Sequence, residues 1–146
     1  MRIRGDKRHR RRLKKMRGLE LVNELGKQVF VAADAVRGEA QFLIAEGSIQ
    51  GAGHVPSAPG EAPNLDEGGL TAGITAHRTG PLKAVAESAA PYALAQEYGA
   101  TIKDGFGKGI EIVLPERPYM RPAAKKVRGD YLINIRAGVS RIIRKG

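Results

Sequence analysis

The chain contains no cysteine and no tryptophan, and it has only three phenylalanines and four tyrosines among its 146 residues. The absence of cysteine excludes disulfides and thiolate metal sites. The scarcity of aromatic residues, in a chain that is 42% hydrophobic, predicts a core built mainly from aliphatic side chains. No apolar run is long enough to cross a bilayer, and no signal-peptide pattern is present. We therefore expect a soluble protein of intracellular origin that has no membrane partner.

Negative charge is scarce at both ends of the chain, and the net charge of +10 is therefore unevenly distributed. Residues 1–17 hold ten Lys or Arg against one acidic residue, which gives +9. Residues 117–146 hold nine against one, which gives +8, so that residues 18–116 carry −7. A chain with this pattern can bind nucleic acid through its ends, or it can join acidic and basic surfaces of neighbouring copies.

Residues 1–17 predict a basic N-terminal arm, followed by a single domain over residues 18–146. Like charges at this density repel one another and usually stay mobile until they meet phosphate or an acidic partner. No aromatic residue interrupts the arm, so we expect contact with phosphate and no reading of sequence. A solvated basic start to a long helix is the alternative. The side chains predicted to contact polyanion, double-stranded DNA above all, are Arg8, Arg10, Arg11, Arg12, Lys14 and Lys15.

The strongest periodic pattern lies between residues 13 and 46, where apolar residues recur at alternating spacings of three and four. They are Val22, Leu25, Val29, Ala32, Val36, Ala40 and Leu43. The pattern predicts one helix about 50 Å long at ~1.5 Å per residue, ended by Gly47. Gly26 and Gly38 are candidate sites for a close approach or a bend.

Proline and glycine divide the middle of the chain into short elements. Residues 47–69 predict a long loop, because proline removes backbone donors and blocks the helical conformation of the residue before it. One helical turn is expected at residues 70–74. Two β-hairpins follow from turn signals between short apolar runs. Their strands are residues 74–79 and 82–88 for the first hairpin, and residues 100–103 and 109–114 for the second.

A C-terminal helix is expected from about Pro122, since proline is tolerated in the first turn of a helix. Its apolar face would be Ala124, Val127, Tyr131, Ile135, Val139 and Ile142. The predicted fold class is therefore α+β, with a long N-terminal helix, a small mainly antiparallel sheet, a short central helix and this C-terminal helix.

The short central helix is predicted between the two hairpins. Pro91 suits the first turn of a helix, and Gly99 suits the position just past its end. Leu94 and Tyr98 are four residues apart and fall on one face with Pro91. We expect this face to be buried, and Glu97 to turn away from it.

The sequence offers little support for catalysis. Residues 105–109 are glycine-rich, but they lack the spacing of a Walker loop and no clear helix follows them, which favours a simple turn. His9, His54 and His77 fall on the arm, the loop and a strand, without metal-ligand spacing. No nucleophile has a neighbouring base in the sequence. We predict that the chain is not an enzyme and that it has no cofactor and no metal.

Three segments together resemble one protein family. The first is residues 59–64 with Gly69, Leu70 and Ile74, the second is residues 90–93 with 97–99, and the third is residues 117–123. Their order and spacing are similar to those of the small neck or tail-completion proteins, minor tail components of long-tailed bacteriophages and prophages. The family positions that the chain matches are Pro59, Gly60, Pro63, Gly69, Leu70, Pro91, Tyr92, Ala93, Glu97, Gly99, Pro118, Arg121 and Pro122.

The resemblance implies a structural virion protein that is not an enzyme. Proteins of this kind form a ring, hexameric in the family, that joins the capsid connector to the tail and lets DNA pass. The implied partners are other copies of the chain, the connector or head-completion proteins, the tail-terminator or tail-tube proteins, and double-stranded DNA. The implied location is the virion neck, assembled in the cytoplasm of the bacterial host. From the charge pattern alone, a stand-alone nucleic-acid-binding protein that does not read sequence is the alternative.

Overall fold

The computed structural model describes residues 6–16, 18–46, 48–105, 107 and 109–144. The chain folds as α+β, as predicted, with two long helices and two antiparallel hairpins. No helix in the described ranges combines the length and the apolar composition needed to cross a membrane. The elements in chain order are α1 (Asp6–Met16), α2 (Leu19–Ala45), α3 (Gly69–Ala72), β1 (Ile74–Gly80), β2 (Lys83–Ser88), α4 (Ala93–Tyr98), β3 (Ala100–Gly105), β4 (Ile110–Leu114) and α5 (Met120–Arg144).

The N-terminal helix is divided in two, where the sequence predicted one helix beginning at residue 13. Helix α1 begins earlier, at Asp6, and α2 starts after Gly18, which has an extended backbone and caps α2 without a side-chain hydrogen bond. Glycine is a poor helix former, which makes the break favourable at this position. Gly47, the predicted end of the helix, lies outside the described residues, and α2 ends at Ala45.

Helices α2 and α5 form an antiparallel pair that is the largest contact between elements of the described chain. Two ion pairs show the direction of the packing: Lys126 Nζ lies 2.7 Å from Glu39 Oε1, and Arg141 Nη1 lies 3.5 Å from Glu24 Oε1. Between them, Gly138 is buried against the side chains of Gln28 and Glu24. The end of α5 therefore lies beside the start of α2.

The apolar stripe of α2 is wider than the predicted seam, because two elements pack on this helix. The buried positions are Leu21, Gly26, Ala33, Ala40 and Ile44, of which the sequence pattern named only Ala40. The other predicted seam residues are partly buried. Helix α5 covers one side of α2, and the hairpin β1–β2 covers another. On α5, Ala123 is fully buried in place of the predicted Ala124, which is exposed.

Hairpin β1–β2 packs closely on α2 through small side chains. Ala76 pairs with Ala86 in the ladder, and both are partly buried. Gly26 of α2 is the point of closest approach, because a Cβ atom there would collide with the carbonyl oxygen of Pro81 in the hairpin turn. The predicted close approach is confirmed at Gly26, whereas a Cβ at Gly38 would meet nothing within 4 Å.

Hairpin β3–β4 projects from the body. Its strands pair with each other, and within the described residues neither makes an extensive contact with another element. Ile102 and Ile110 are 45% and 51% exposed, and Val113 on the opposite face is 68% exposed. The two hairpins are separate two-stranded sheets, so the predicted small antiparallel sheet is divided in two. Phe106 and Lys108 of the predicted glycine-rich turn lie outside the described residues.

The core is centred where α2, α3, β1, α4 and the start of α5 meet. Its largest fully buried side chains are Tyr119, Ile44 and Ile74. A fully buried tyrosine in this position was not expected from the aliphatic composition. The loop was predicted over residues 47–69, of which Gly69 belongs to α3 and residues 48–68 are described outside it. These residues contain a 3₁₀ turn at Gly51–Gly53, and the backbone N–H of Leu65 joins the loop to α2 by donating to the carbonyl of Ile44.

Helix α4 buries a different face from the predicted one. Leu94 is 75% exposed and Tyr98 61% exposed, whereas Ala93 and Glu97 are buried at 7% and 5%. The prediction was wrong for two reasons. In a helix of only six residues, the apolar spacing cannot define a face. The Glu97 carboxylate can also be buried because backbone N–H groups inside the fold, such as that of Tyr119, donate hydrogen bonds to it.

Candidate functional site

The three segments that resemble the neck family meet in one place. The N–H of Gly60, in the first segment, donates to the carbonyl oxygen of Glu116 at 2.8 Å, next to the third. The N–H of Arg117 donates to the carbonyl of Gln96 at 2.6 Å, and its Nε donates to the carbonyl of Ser57 at 3.1 Å. We call this region, built around Gly60, Gln96, Glu97 and residues 116–121, the motif joint.

Glu97 is the centre of the motif joint and caps the N-terminus of α5. Its Oε2 accepts hydrogen bonds from the backbone N–H groups of Tyr119 and Met120 at 2.9 and 3.0 Å, and its Oε1 accepts one from the N–H of Arg121 at 2.9 Å. These N–H groups would otherwise lack partners at the start of the helix, where the helix dipole also favours a negative charge. A carboxylate from α4 thus fixes the direction in which α5 leaves the joint.

The surroundings of Glu97 keep it ionised. Burial raises the pKa of this carboxyl, but the backbone hydrogen bonds from Tyr119, Met120 and Arg121 and the Arg121 side chain outweigh burial, and the pKa lies below its usual value. With both oxygens occupied by donors, Glu97 has no geometry suited to proton transfer. The arrangement is that of a structural anchor.

Arg121 links the anchor to the surface of the joint. Its Nε donates to Glu97 Oε1 at 3.0 Å, and its Nη2 donates to the Glu97 carbonyl and to Glu116 Oε2, both at 2.8 Å. The hydrogen bonds to Glu116 and then Glu97 raise the pKa of Arg121 above its ordinary value. The guanidinium also lies over the ring of Tyr98, 4.8 Å from its centroid, so it holds an otherwise exposed aromatic side chain in place.

Gly99 turns the chain from α4 directly into β3. Its φ of 71° and ψ of 170° lie in a region that essentially only glycine occupies. Gly99 follows the last residue of α4, as the sequence predicted, and its extended ψ leads the chain directly into β3. A Cβ atom here would lie 2.8 Å from the carbonyl oxygen of Leu114, so glycine is needed for space as well as for conformation.

The remaining family positions line two concave surfaces around the joint. Gly60, Pro118, Arg121 and Pro122 line a concavity of about 440 Å³. Pro63, Gly69, Leu70 and Tyr92 line another of about 440 Å³, in which Leu70 is part of the core. Ala93 is a core residue of α4, while Pro59 and Pro91 are exposed at the surface. The family positions are thus mainly structural, and they shape one region of the molecule.

The predicted polyanion-binding residues lie on helix α1, where the sequence predicted a mobile arm before the long helix. Arg8, Arg10, Arg11, Arg12 and Lys14 are all exposed, and the side chain of Lys15 lies outside the described part of the structure, as do residues 1–5 and 17. The helical structure of α1 and the exposure of its cations agree with a solvated basic helix as well as with a polyanion contact.

Sequence reasoning did not connect α1 with the far end of the chain. Helix α1 contacts α5, and the last turns of α5 carry Arg141 and Arg144. The excess of positive charge in residues 117–146 was visible in the sequence. Its position beside α1 follows only from the antiparallel packing of α2 and α5.

The histidine and acidic side chains of the described residues are not grouped as the ligands of a metal ion would be. The described residues contain no group of three or more His, Asp or Glu side chains placed to hold a metal ion. His9, His54 and His77 lie on α1, on the loop after the 3₁₀ turn and on β1. The motif joint and the basic helix ends are therefore the features from which a function can be argued.

Comparison of the chain with protein-family models, with curated proteins and with solved structures found no match.

Proposed function

We propose that this chain is a structural subunit of the neck of a long-tailed phage or a phage-like particle. Copies of the chain form a ring, hexameric as in the family it resembles, between the capsid connector and the tail. Connector or head-completion proteins lie on one side and tail-terminator or tail-tube proteins on the other. Double-stranded DNA passes through the ring without being read, and the chain acts in the virion after assembly in the host cytoplasm.

The meeting of the three family-like segments is the observation that carries this proposal. Segments that belong to one structural motif are expected to pack on one another. Here Glu97 of the second segment caps the helix of the third at 2.9 to 3.0 Å, and Gly60 of the first is hydrogen-bonded to Glu116 beside it. The resemblance is therefore supported by a shared packing unit as well as by sequence spacing.

The uncovered hairpin β3–β4 supports assembly. A two-stranded hairpin by itself is marginally stable in water. This one has Ile102 and Ile110 on the face that also holds Ile112 and Leu114, and the described chain leaves about half of the surface of Ile102 and Ile110 exposed. In a ring, a neighbouring copy covers this face through a head-to-tail contact, the type of interface that closes into rings.

A pair of matched variants tests the ring. Ile110→Ser changes an isoleucine of the hairpin whose side chain is 51% exposed. Ile133→Ser is the control, because it changes an isoleucine of α5 that is 63% exposed. We expect sedimentation velocity and electron microscopy to show rings for the native chain and for Ile133→Ser, and smaller species for Ile110→Ser. Monomers alone, even in the presence of neck partners, would contradict the proposal.

Particles lacking the protein provide the test in the cell. We expect separate heads and tails by electron microscopy, and joined particles when the native chain is supplied again.

A stand-alone nucleic-acid-binding protein is the second candidate, favoured by the exposed basic side chains of α1. It predicts DNA binding by a monomer and normal joining of heads to tails in its absence.

A further inference from the structure

Helix α1 and the last turns of α5 lie at the same end of the folded molecule. Helix α5 runs antiparallel to α2, so that Arg141 Nη1 lies 3.5 Å from Glu24 Oε1 in the early turns of α2. Helix α1 ends at Met16, just before α2 begins at Leu19, and α1 contacts α5. More than a hundred residues of sequence therefore separate basic side chains that become neighbours in space.

The cations of this region are numerous and accessible. Arg141 and Arg144 lie three apart on the last turns of α5, with Ser140 and Ala137 on the same helical face, and these four residues line a concavity of about 610 Å³. Helix α1 contributes six exposed cations. We call the whole set the basic pole; its members are Lys7, Arg8, Arg10, Arg11, Arg12, Lys14, Arg141 and Arg144.

Among the described residues few acidic groups lie at the basic pole, and Asp6, the first residue of α1, is one of them. Glu20 and Glu24 lie at the same end of α2, and Glu24 is shared between Arg141 and the side-chain amide of Gln28. The Arg141 side chain remains 60% exposed beyond its pairing with Glu24. Most of the positive charge therefore faces solvent and can meet an external anion.

We propose that α1 and the last turns of α5 form one composite surface that binds the phosphate backbone of double-stranded DNA. This inference rests on the proposed function, in which DNA passes the protein, and it names the surface that the DNA meets. Arginine suits phosphate because its planar donor fork can bind two oxygens at once. Aromatic side chains are absent from both helical stretches, residues 6–16 and 136–144, so bases are neither stacked nor read.

The composition of the basic pole favours DNA over an acidic protein face. Protein interfaces usually have an apolar centre depleted of charge. Among the described side chains of α1, Leu13 is the exposed large apolar one, at 45%, and cations surround it. A surface with this composition gains most of its binding energy by releasing counterions from phosphates.

The test compares two double variants of equal charge on the same helix. Arg141→Gln with Arg144→Gln removes the α5 half of the basic pole. Lys125→Gln with Arg128→Gln removes two exposed cations from the opposite end of α5, about 20 Å away at ~1.5 Å per residue. Binding of the full chain to a short duplex of random sequence is measured by fluorescence anisotropy across a series of salt concentrations.

We expect the α5-end variant to bind at least about tenfold more weakly near 0.1 M salt, and its slope of log affinity against log salt to fall by about 1.8, for two phosphates lost. The Lys125 and Arg128 variant should bind within about twofold of the native chain. Arg144→Gln alone keeps the Glu24–Arg141 pair intact and should lower the slope by about 0.9. Circular dichroism confirms that each variant is folded.

Three results would overturn the inference. Equal weakening by both double variants would mean that only net charge matters. If the α5-end variant binds DNA as the native chain does, while a variant with Arg8, Arg11 and Arg12 changed to glutamine loses binding, then α1 alone contacts the DNA. Binding to polyglutamate without binding to DNA would make the partner an acidic protein.

Sedimentation of the same variants separates this inference from the proposed function. If rings form normally and DNA binding does not depend on Arg141 and Arg144, only the inference is contradicted. DNA binding that depends on the basic pole, in a protein that neither forms rings nor joins particles, contradicts only the proposed function.

Discussion

The two hairpins have the same antiparallel topology but opposite surroundings. Hairpin β1–β2 lies against α2 through partly buried alanines, such as Ala76 and Ala86, with Gly26 beneath its turn. Hairpin β3–β4 carries isoleucines on one face, and the structure leaves Ile102 and Ile110 about half exposed. The hairpin with the smaller side chains is covered, and the hairpin with the larger ones is not.

The difference separates two uses of a hairpin. Small side chains allow the backbone of β1–β2 to approach a helix closely, so this hairpin is part of the body. Half-exposed apolar side chains on β3–β4 gain further stability only when another surface covers them, at roughly 0.8–1.5 kcal/mol for each isoleucine that goes from half exposed to fully buried. We interpret β1–β2 as a folding element and, in the ring that we propose, β3–β4 as the assembly element.

Ile74 anchors β1–β2 in the core, and its truncation should have the largest effect. It is 2% exposed and packs in the central cluster with Ile44 and Tyr119. We expect Ile74→Ala to lower the free energy of unfolding by about 2–5 kcal/mol, because it removes buried methyl groups and leaves a cavity. Urea denaturation followed by circular dichroism measures the change. A loss below about 1 kcal/mol would mean that β1–β2 is not anchored as described.

Glu97 holds the joint to which both ends of β3–β4 are attached, and its substitution should come next. Glu97→Gln removes the charge that three backbone donors and Arg121 require, and we expect a loss of about 2 kcal/mol. Glu116→Gln is the matched control, since Glu116 binds the same guanidinium with a side chain 55% exposed, and it should cost at most about 1 kcal/mol. Similar losses for both variants would contradict the anchoring role of Glu97.

The pH dependence of stability sharpens the same prediction. The folded pKa of Glu97 lies below its unfolded value of about 4.3, so its contribution is complete above that value and is lost as pH falls through the folded pKa. We expect the stability of the native chain to fall more steeply below about pH 4.3 than that of Glu97→Gln. Thermal unfolding at a series of pH values would show this, and parallel curves for the two proteins would rule it out.

Two glycines of α2 test how closely β1–β2 approaches. In Gly26→Ala the new Cβ collides with the backbone oxygen of Pro81, and we expect a net loss of about 1–3 kcal/mol. In Gly38→Ala the Cβ meets nothing within 4 Å, and we expect a gain of about 0.5–1 kcal/mol from helix propensity. Chemical denaturation of the two variants gives the comparison, and equal effects would show that the hairpin does not constrain α2.

Ile110 should give the smallest effect on stability. Ile110→Ala changes a residue that is 51% exposed on β4, and we expect less than about 0.5 kcal/mol at a protein concentration where the chain is monomeric. The same substitution at Ile74 and at Ile110 thus contrasts the body hairpin with the assembly hairpin. A loss at Ile110 that equals the loss at Ile74 would mean that β3–β4 is covered within its own chain.

Much of the fold follows from local patterns in the sequence. The three- and four-residue spacing on α2 indicates a helix, and the turn residues Gly80 and Pro81 between short apolar runs mark the first hairpin, because these signals act between residues close along the chain. The division of charge into basic ends and an acidic middle is also a property of the sequence alone. The boundaries at Asp6 and Gly18 were missed, because a charged helix carries little apolar periodicity.

The tertiary structure decided the features on which function depends. Six residues of α4 could not show which face is buried, and the burial of Glu97 follows from the donors that α5 presents to it. The neighbouring positions of α1 and the end of α5 follow from the antiparallel packing of two helices far apart in sequence. Hairpin β1–β2 is covered because the chain topology places it against α2, whereas β3–β4 has no extensive contact with another described element. Local sequence indicates where most of the elements lie, but the face that each element buries, and the partner of that face, are decided by the packing of elements that no local pattern connects.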